Sequence, residues 1–472
     1  MTIMQNGMQN ALRPGSTRIE AVMVAISERI AARSLPPGAK LPSVRAFAKA
    51  MQVSVSTVVE AYERLAAQGL VRAKPGSGFY VAAPLAPLSL AQIEPRLDRQ
   101  MDPLWVSRQS LESGVEVMKP GCGWLPPSWM PEAALRRAMR HLARADAAVL
   151  TDYGMPLGLL ALRQVLSRRM AEHGMGVSPD QIMLTESGTH ALDLICRFLL
   201  EPGDCVLVDD PCYFNFNALL RAHRVKIVGV AYRHDGPDIE QFSKIVAEHR
   251  PRLYLTNSGV HNPTGASLSP VNAHRVLTLA DQAGLTIVED DIFADFEDVA
   301  SARLSAFDGL NRVVQIGSFS KTLSASVRCG YIAAKPDWID GLVDLKIATS
   351  FGGGRMAAEL VLAMLTDGSY RKYLEGLRAR LAAARDAVTA RLAPLGITPF
   401  LRPRAGMVLW CQLPSGVDSA ALARHCLQDD VVLAPGNVFS QSQTAGQFMR
   451  FNVAQMNDER IYRSLMRGLD AM

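Results

Sequence analysis

Val313-Val314-Gln315-Ile316-Gly317-Ser318-Phe319-Ser320-Lys321-Thr322 is the stretch on which the fold reading turns. Val313–Ile316 is a short apolar run of strand type, and a serine-rich turn carrying a single lysine follows it directly. Arg328 lies seven residues beyond that lysine. Alone, a lysine after a strand is usually just a surface charge, so its weight depends on what the rest of the chain places beside it.

Toward the N-terminus the same pattern recurs. Short apolar runs stand at Val206–Val208, Val225–Val230, Leu253–Thr256 and Leu285–Val288. Helical periodicity fits 157–173 and 189–200, and amphipathic stretches fill 238–249 and 270–283. This alternation implies a mostly parallel sheet with helices on both faces. Polar residues cluster where the runs end: Tyr213 in Asp210-Pro211-Cys212-Tyr213, Asn262 in His261-Asn262-Pro263-Thr264-Gly265, Asp290 in Val288-Glu289-Asp290-Asp291, and Ser187-Gly188-Thr189 at the start of an apolar helix. Strand C-termini and helix starts are where α/β sheets build ligand sites. Taken singly, Asn-Pro-Thr-Gly reads as a turn, Tyr213 as a core aromatic and Arg450 as a surface residue. In order and together they read as one constellation. Toward the C-terminus, 336–349 and 368–392 read as long helices leading to a smaller α/β segment, 396–472. Gly352-Gly353-Gly354-Arg355 lacks the GK[ST] continuation of a phosphate loop and reads as a flexible loop near a dimer interface.

At 472 residues the chain exceeds what one core normally supports, so two or more units are expected. Hydrophobic residues are 49% and charged ones 20%, ordinary globular values. No apolar run reaches the ~18 residues of a membrane span, and no signal-peptide pattern opens the chain. Seven scattered cysteines without a CxxC pair argue against a disulfide framework or a zinc site and fit a reducing, cytoplasmic setting. The formal charge of +5 hides an asymmetry. Residues 1–83 hold ten Lys/Arg against four acids, a net +6, and the remainder is −1. A basic head on a neutral body is the pattern of a nucleic-acid-binding module fused to something else.

In that head, Ile19–Ala32 reads as a helix stopped by Pro36-Pro37-Gly38. Pro42-Ser43 opens a second helix, Val44–Met51. Ser54 or Ser56 caps a third, running to Gln68 with Gly69 as its C-cap. Lys74-Pro75-Gly76-Ser77-Gly78 then turns between Leu70–Ala73 and Phe79–Val81 as a wing. Leu41–Arg45, Ser54–Val58, Ala61–Leu65, Gly69-Leu70 and Pro75–Phe79 resemble the GntR-type winged helix in order and spacing. The resemblance implies that Ser43, Arg45, Ser54, Ser56 and Thr57 face DNA, with Lys74, Gly76, Ser77 and Gly78 at the wing. Short hydroxyls at a helix start donate to phosphates or base edges, and a glycine wing approaches the backbone closely. Where that family usually has arginine this chain has Val55, a residue suited to a thymine methyl or to weaker readout.

From about 120 to 472 the chain resembles the fold-type I aminotransferase domain, and with its head it resembles the MocR/GabR-like regulators over nearly its whole length. The fold class expected is therefore α/β: an N-terminal winged helix-turn-helix over 12–83, a proline-rich linker over 84–119 with room for one short helix, and an aminotransferase-like domain over 120–472, its small C-terminal subdomain at about 396–472. The implied cofactor is pyridoxal 5'-phosphate, which needs a lysine for a Schiff base, a carboxylate for its pyridine nitrogen, and N–H groups, hydroxyls and an arginine for its phosphate. By resemblance Lys321 carries the internal aldimine, Asp290 pairs with the pyridine nitrogen, Asn262 contacts the phenolic oxygen and Tyr213 stacks on the ring. Ser187, Gly188, Thr189, Ser318, Ser320 and Arg328 hold the phosphate, and Tyr153 reaches the phosphate of a partner subunit. Arg450 takes a substrate or effector carboxylate.

Phe293 is a second departure. Aminotransferases of this pattern usually place tyrosine three residues after the aspartate, and phenylalanine keeps the ring while losing the donor to the phenolic oxygen. The expectation is a homodimeric, PLP-binding transcription regulator that binds double-stranded promoter DNA and senses the cofactor or an amino compound through external aldimine formation at Lys321. The competing expectation is a working aminotransferase tethered to DNA by its head.

Overall fold

A computed structural model describes residues 17–31, 35, 38–74, 76–82, 103–114 and 116–472. The chain divides between Asp98 and Arg99 into two compact units. In the first, α1 (Arg18–Ala31), α2 (Val44–Met51) and α3 (Val55–Ala67) precede a hairpin of β1 (Val71–Lys74) and β2 (Gly78–Val81). Local chemistry sets each boundary. Thr17 and Glu20 cap α1 reciprocally, Ser43 Oγ accepts from Ala46 N–H, and Ser54 Oγ accepts from Thr57 N–H at 3.1 Å. Helix α3 ends at Ala67 with Gln68 as its C-cap residue, and Gly69 takes the left-handed φ of +72° at the next position, where a helix-terminating glycine belongs. The core is Val22, Ile26, Phe47, Val58, Tyr62, Leu65, Val71 and Val81. The expected stop at Pro36-Pro37 and the wing residue Pro75 lie outside the described residues.

The second unit is built on an eight-stranded sheet. Its strands are β3 (Ile182–Thr185), β4 (Cys205–Asp210), β5 (Lys226–Arg233), β6 (Gly236–Pro237), β7 (Leu253–Thr256), β8 (Thr286–Asp290), β9 (Val313–Ser318) and β10 (Gly330–Ala333). They lie in the order β3-β10-β9-β8-β7-β4-β5-β6. The run from β9 to β5 is parallel, β10 is antiparallel to both neighbours, and β6 folds back on β5. Alternate residues of one strand enter opposite cores. Val206 and Val208 join Leu192, Ile195 and Leu342 on one face, while Leu207 joins Phe242, Val276 and Leu285 on the other. Both faces are covered, so the strands read as continuous apolar runs. A second sheet, in the order β11 (Thr398–Pro399), β12 (Val408–Gln412), β14 (Phe448–Asn452), β13 (Ala434–Pro435), forms the smaller C-terminal part.

Within the proline-rich stretch, Pro103–Glu112 forms a helix, with proline in the first position where its missing N–H costs nothing. Val106 buries this helix against Phe214, Trp410 and Phe439. The part of that stretch from 84 to 102 lies outside the described residues.

Gly330 on β10 is where the sheet presses on the helix start at Ser187-Gly188. A Cβ there would lie 2.7 Å from the Ser187 carbonyl carbon, 2.8 Å from Gly317 O and 2.9 Å from Gly188 N. Gly330→Ala is therefore expected to destabilise the fold by about 1–3 kcal/mol, read as a lowered urea midpoint with unchanged slope.

Candidate cofactor site and DNA-facing surface

Five strand ends converge on one cavity of about 470 Å³. Ser187, Gly188, Thr189, Tyr213, Asn262, Asp290, Ser320, Lys321 and Arg328 all line it. Asp290 closes β8, Lys321 follows β9 by three residues, and Ser187 caps the helix Gly188–Leu199, its Oγ accepting from His190 N–H at 3.0 Å. Ser318 stands just behind the wall, hydrogen-bonded to Ser320 at 3.0 Å and to Cys329 O at 3.2 Å. Arg328 holds a left-handed φ of +54°, a conformation a non-glycine residue adopts only when its surroundings impose it.

The electrostatics follow from burial. Asp290 accepts from Ile292 N–H at 3.0 Å, and enclosure pushes its carboxyl up to about 6, with Lys321 nearby drawing it down. Lys321 donates to Gly123 O at 2.7 Å, and burial and the cation of Arg450 bring its amine down to about 8. Arg450 is 1% exposed and does not line the cavity. It lies behind Gly123, where a Cβ would stand 3.8 Å from Arg450 Nη2 and 3.9 Å from Lys321 Nζ. Its guanidinium donates to Asn262 Oδ1 at 3.0 Å and Gly121 O at 2.6 Å, and it sits 4.7 Å from the Phe439 ring centroid. That bond fixes the Asn262 amide, leaving its NH₂ as the group free to donate. Phe293 lines the cavity, packed on Phe296.

Tyr153 is not brought to this cavity. It is 80% exposed, packs on Phe351 with centroids 4.8 Å apart, and lines a second cavity of about 340 Å³ that shares only Arg328 with the first. Sequence reasoning missed Gly123, Trp124, Asn257, Lys119 and Ser110, which also line the first cavity. The run Gly121-Cys122-Gly123 held a signal. A Cβ at Gly121 would fall 2.4 Å from the Leu433 carbonyl carbon, so only glycine lets the chain pass.

On the first unit, Ser43, Arg45, Ser54, Ser56, Lys74, Gly76, Ser77 and Gly78 are exposed and Thr57 is half-buried. Ser54 Oγ bonds to Ser56 Oγ at 2.8 Å and Thr57 Oγ1 at 2.7 Å, a knot of hydroxyls at the start of α3. Val55 beside them is 49% exposed. The wing adds residues not anticipated. Tyr80 bonds Ser77 at 2.7 Å, with Lys74 4.6 Å and Lys40 5.9 Å from its ring centroid.

A mostly parallel sheet whose strand ends gather a lysine, a buried carboxylate and a hydroxyl-rich helix start defines the fold-type I aminotransferase-like class. Residues 123–467 match the family model described as aminotransferase class I and II, and the chain belongs to that family. Residues 18–81 match the model for bacterial regulatory proteins of the gntR family. Over most of its length the chain is similar to proteins named HTH-type transcriptional regulators: YdcR of Escherichia coli (28% identity, 92% of this chain, 94% of the relative), YdfD of Bacillus subtilis (26%, 93% and 93%) and NorG of Staphylococcus aureus (26%, 90% and 98%). Among solved structures it resembles an archaeal alanine:glyoxylate aminotransferase (TM-score 0.71, 26% identity, 78% of this chain, 93% of that one). It also resembles LysN, an alpha-aminoadipate aminotransferase of Thermus thermophilus complexed with N-(5'-phosphopyridoxyl)-L-leucine (0.69, 25%, 75% and 92%).

This family and fold indicate pyridoxal phosphate as the cofactor. The residues fit it: a lysine whose amine is already depressed, a buried carboxylate, and a helix start whose N–H groups face the cavity wall. Because neutral amine attacks the aldehyde, cofactor attachment to cofactor-free protein should speed up about tenfold per pH unit below pH 8 and level off above it. Stopped-flow absorbance checks this; a rate still climbing steeply past pH 9 means an ordinary lysine.

Proposed function

We propose that this chain is a pyridoxal-phosphate-dependent transcription regulator that binds promoter DNA through its winged helix and senses the cofactor, an amino compound, or both at Lys321. The observation that carries the reading is the joining, in one chain, of an exposed hydroxyl-and-lysine surface on a gntR-type unit to a cavity lined by both Lys321 and Asp290. Pyridoxal phosphate supplies an aldehyde that condenses reversibly with primary amines. Lys321 would supply the amine that holds it, and an effector's primary amine would compete with that side chain for the same carbon. Asp290 keeps the pyridine nitrogen protonated, Asn262 donates to the phenolic oxygen and Tyr213 covers the ring. Ser187, Gly188, Thr189, Ser318, Ser320 and Arg328 take the phosphate, and Arg450 takes an effector carboxylate.

The reading includes a homodimer. Tyr153, Met155, Leu160, Phe351 and Met356 are all at least half exposed and gather round the second cavity, an apolar surface that a second copy would cover, bringing its Tyr153 to the phosphate. At the head, Ser43, Arg45, Ser54, Ser56 and Thr57 face the duplex, and Lys74, Gly76, Ser77 and Gly78 form the wing contact. A working aminotransferase is the second reading, favoured by the intact Lys321 and Asp290 and opposed by Phe293, which offers no donor.

The two halves should respond oppositely to salt. Affinity for the upstream region of its own or adjacent genes should fall roughly a thousandfold between 50 and 200 mM salt, while cofactor retention, read as visible absorbance, stays level. If both track salt together, or no such DNA binds with or without cofactor, the regulator reading fails. Repeated turnover with an amino donor and a keto acceptor would establish the aminotransferase instead.

A further inference from the structure

The charged side chains lining the first cavity are Lys119, Asp290, Lys321 and Arg328. The proposed function occupies three of them and leaves Lys119 without a role. Its ammonium donates to Ser113 O at 3.0 Å, the one hydrogen bond it makes among the described residues, so two of its three donors remain. On the same cavity wall Ser110 is 2% exposed, and its Oγ has no hydrogen-bond partner among the described residues. A buried hydroxyl left unpaired costs free energy unless something satisfies it. An unpaired buried donor and a spare cation on the walls of one cavity describe a place for an anion.

The position is fixed rather than floppy. Met118 bridges to Val431, with Met118 N–H donating to Asp430 O and Val432 N–H to Met118 O, both at 2.9 Å. Gly121 N–H donates to Val432 O at 2.9 Å, so the backbone from 118 to 121 is tied to the C-terminal part. Ser110 is held on the helix Pro103–Glu112 through Val106. Lys119 lies four positions before Gly123, whose carbonyl takes the Lys321 amine, so their Cα atoms are at most about 14 Å apart, and all three residues line the same cavity. One small molecule in that cavity has both amines on its walls.

We propose that Lys119 and Ser110 form a second anion subsite and that the effector is an acidic amino acid, its amine meeting the cofactor at Lys321, its α-carboxylate meeting Arg450 and its side-chain carboxylate meeting Lys119. This rests on the sensing role given to Lys321. Substrate class then follows from charge: a neutral side chain of the same length leaves both Lys119 and Ser110 without an anion.

The test uses full-length, cofactor-loaded protein titrated with L-glutamate, L-aspartate, L-glutamine and O-phospho-L-serine, following the visible absorbance change. At least one of the two dicarboxylates should bind ten- to a hundredfold more tightly than L-glutamine. Lys119→Gln should abolish that preference while changing the L-glutamine Kd less than threefold, and Lys119→Arg should retain it. Unchanged visible absorbance in both loaded variants reports that the fold and cofactor link survive. Equal binding of L-glutamate, L-aspartate and L-glutamine, or an equal loss for all of them in Lys119→Gln, overturns the subsite. Phosphoserine alone binding tightly replaces the carboxylate by a phosphate and overturns the acidic-amino-acid assignment. Absence of any visible absorbance on loading overturns the role of Lys321 itself, a separate failure.

Discussion

Two ionisable groups kept from water at neighbouring strand ends govern this molecule. Asp290 closes β8 beside Ile316 of β9, and Lys321 leaves β9 a few residues on. Burial raises the carboxyl and lowers the amine, so each group is moved toward its neutral form. Such a pair contributes little to stability and can detract from it. It persists because a parallel sheet, covered on both faces, fixes where its strands end, and those ends are where the two side chains emerge.

The acidic run at the end of β8 shows how the sheet separates roles by position. Glu289 points away from the cavity, accepting from Leu304 N–H at 2.7 Å and Ser305 N–H at 2.9 Å and from the hydroxyls of Ser258 and Ser305. Asp290, one residue later, faces the cavity. Asp291 turns back to Arg303 at 2.8 Å, and Arg303 also holds Glu297. Period-two alternation makes adjacent carboxylates serve a structural network and a cofactor site without interfering. Neither neighbour could replace Asp290, because the register sends both elsewhere.

Much of this was legible in the sequence because it is local. Strand runs, helix starts and the residues that follow them depend on patterns a few residues long, so Lys321, Asp290, Asn262 and Ser187, which the fold brings to one cavity, could be singled out, and so could the cap at Ser54. The antiparallel β10 was not separated out, since Gly330–Ala333 carries no sign of direction and is set by pairing with β3 and β9. Lys119, Ser110 and Gly123 were missed for the same reason. Lys119 and Gly123 reach the cavity through a bridge from Met118 to Val431, more than 300 residues away in the chain, and Ser110 through the packing of Val106 on Phe214, Trp410 and Phe439. Arg450 was found as a residue but not in its setting: pairing of β14 with β12 and β13 buries it behind Gly123, held by Asn262.

That setting bears on why a site with a lysine and an aspartate in place would sense rather than turn over. Transamination needs the lysine to act as a base once displaced, with charge on the ring finely balanced by donors to its phenolic oxygen. Phe293 gives no donor, and Asn262, which the proposed function places at the phenolic oxygen, is fixed by Arg450. Under the proposed function, a carboxylate drawing Arg450 toward itself would weaken its hold on Asn262 and so couple ligand binding to the contact assigned to Asn262. An arrangement in which binding disturbs the electronics is poor for rapid chemistry and well suited to a change of state on occupancy, because the ligand's differential contacts are then what shift the equilibrium.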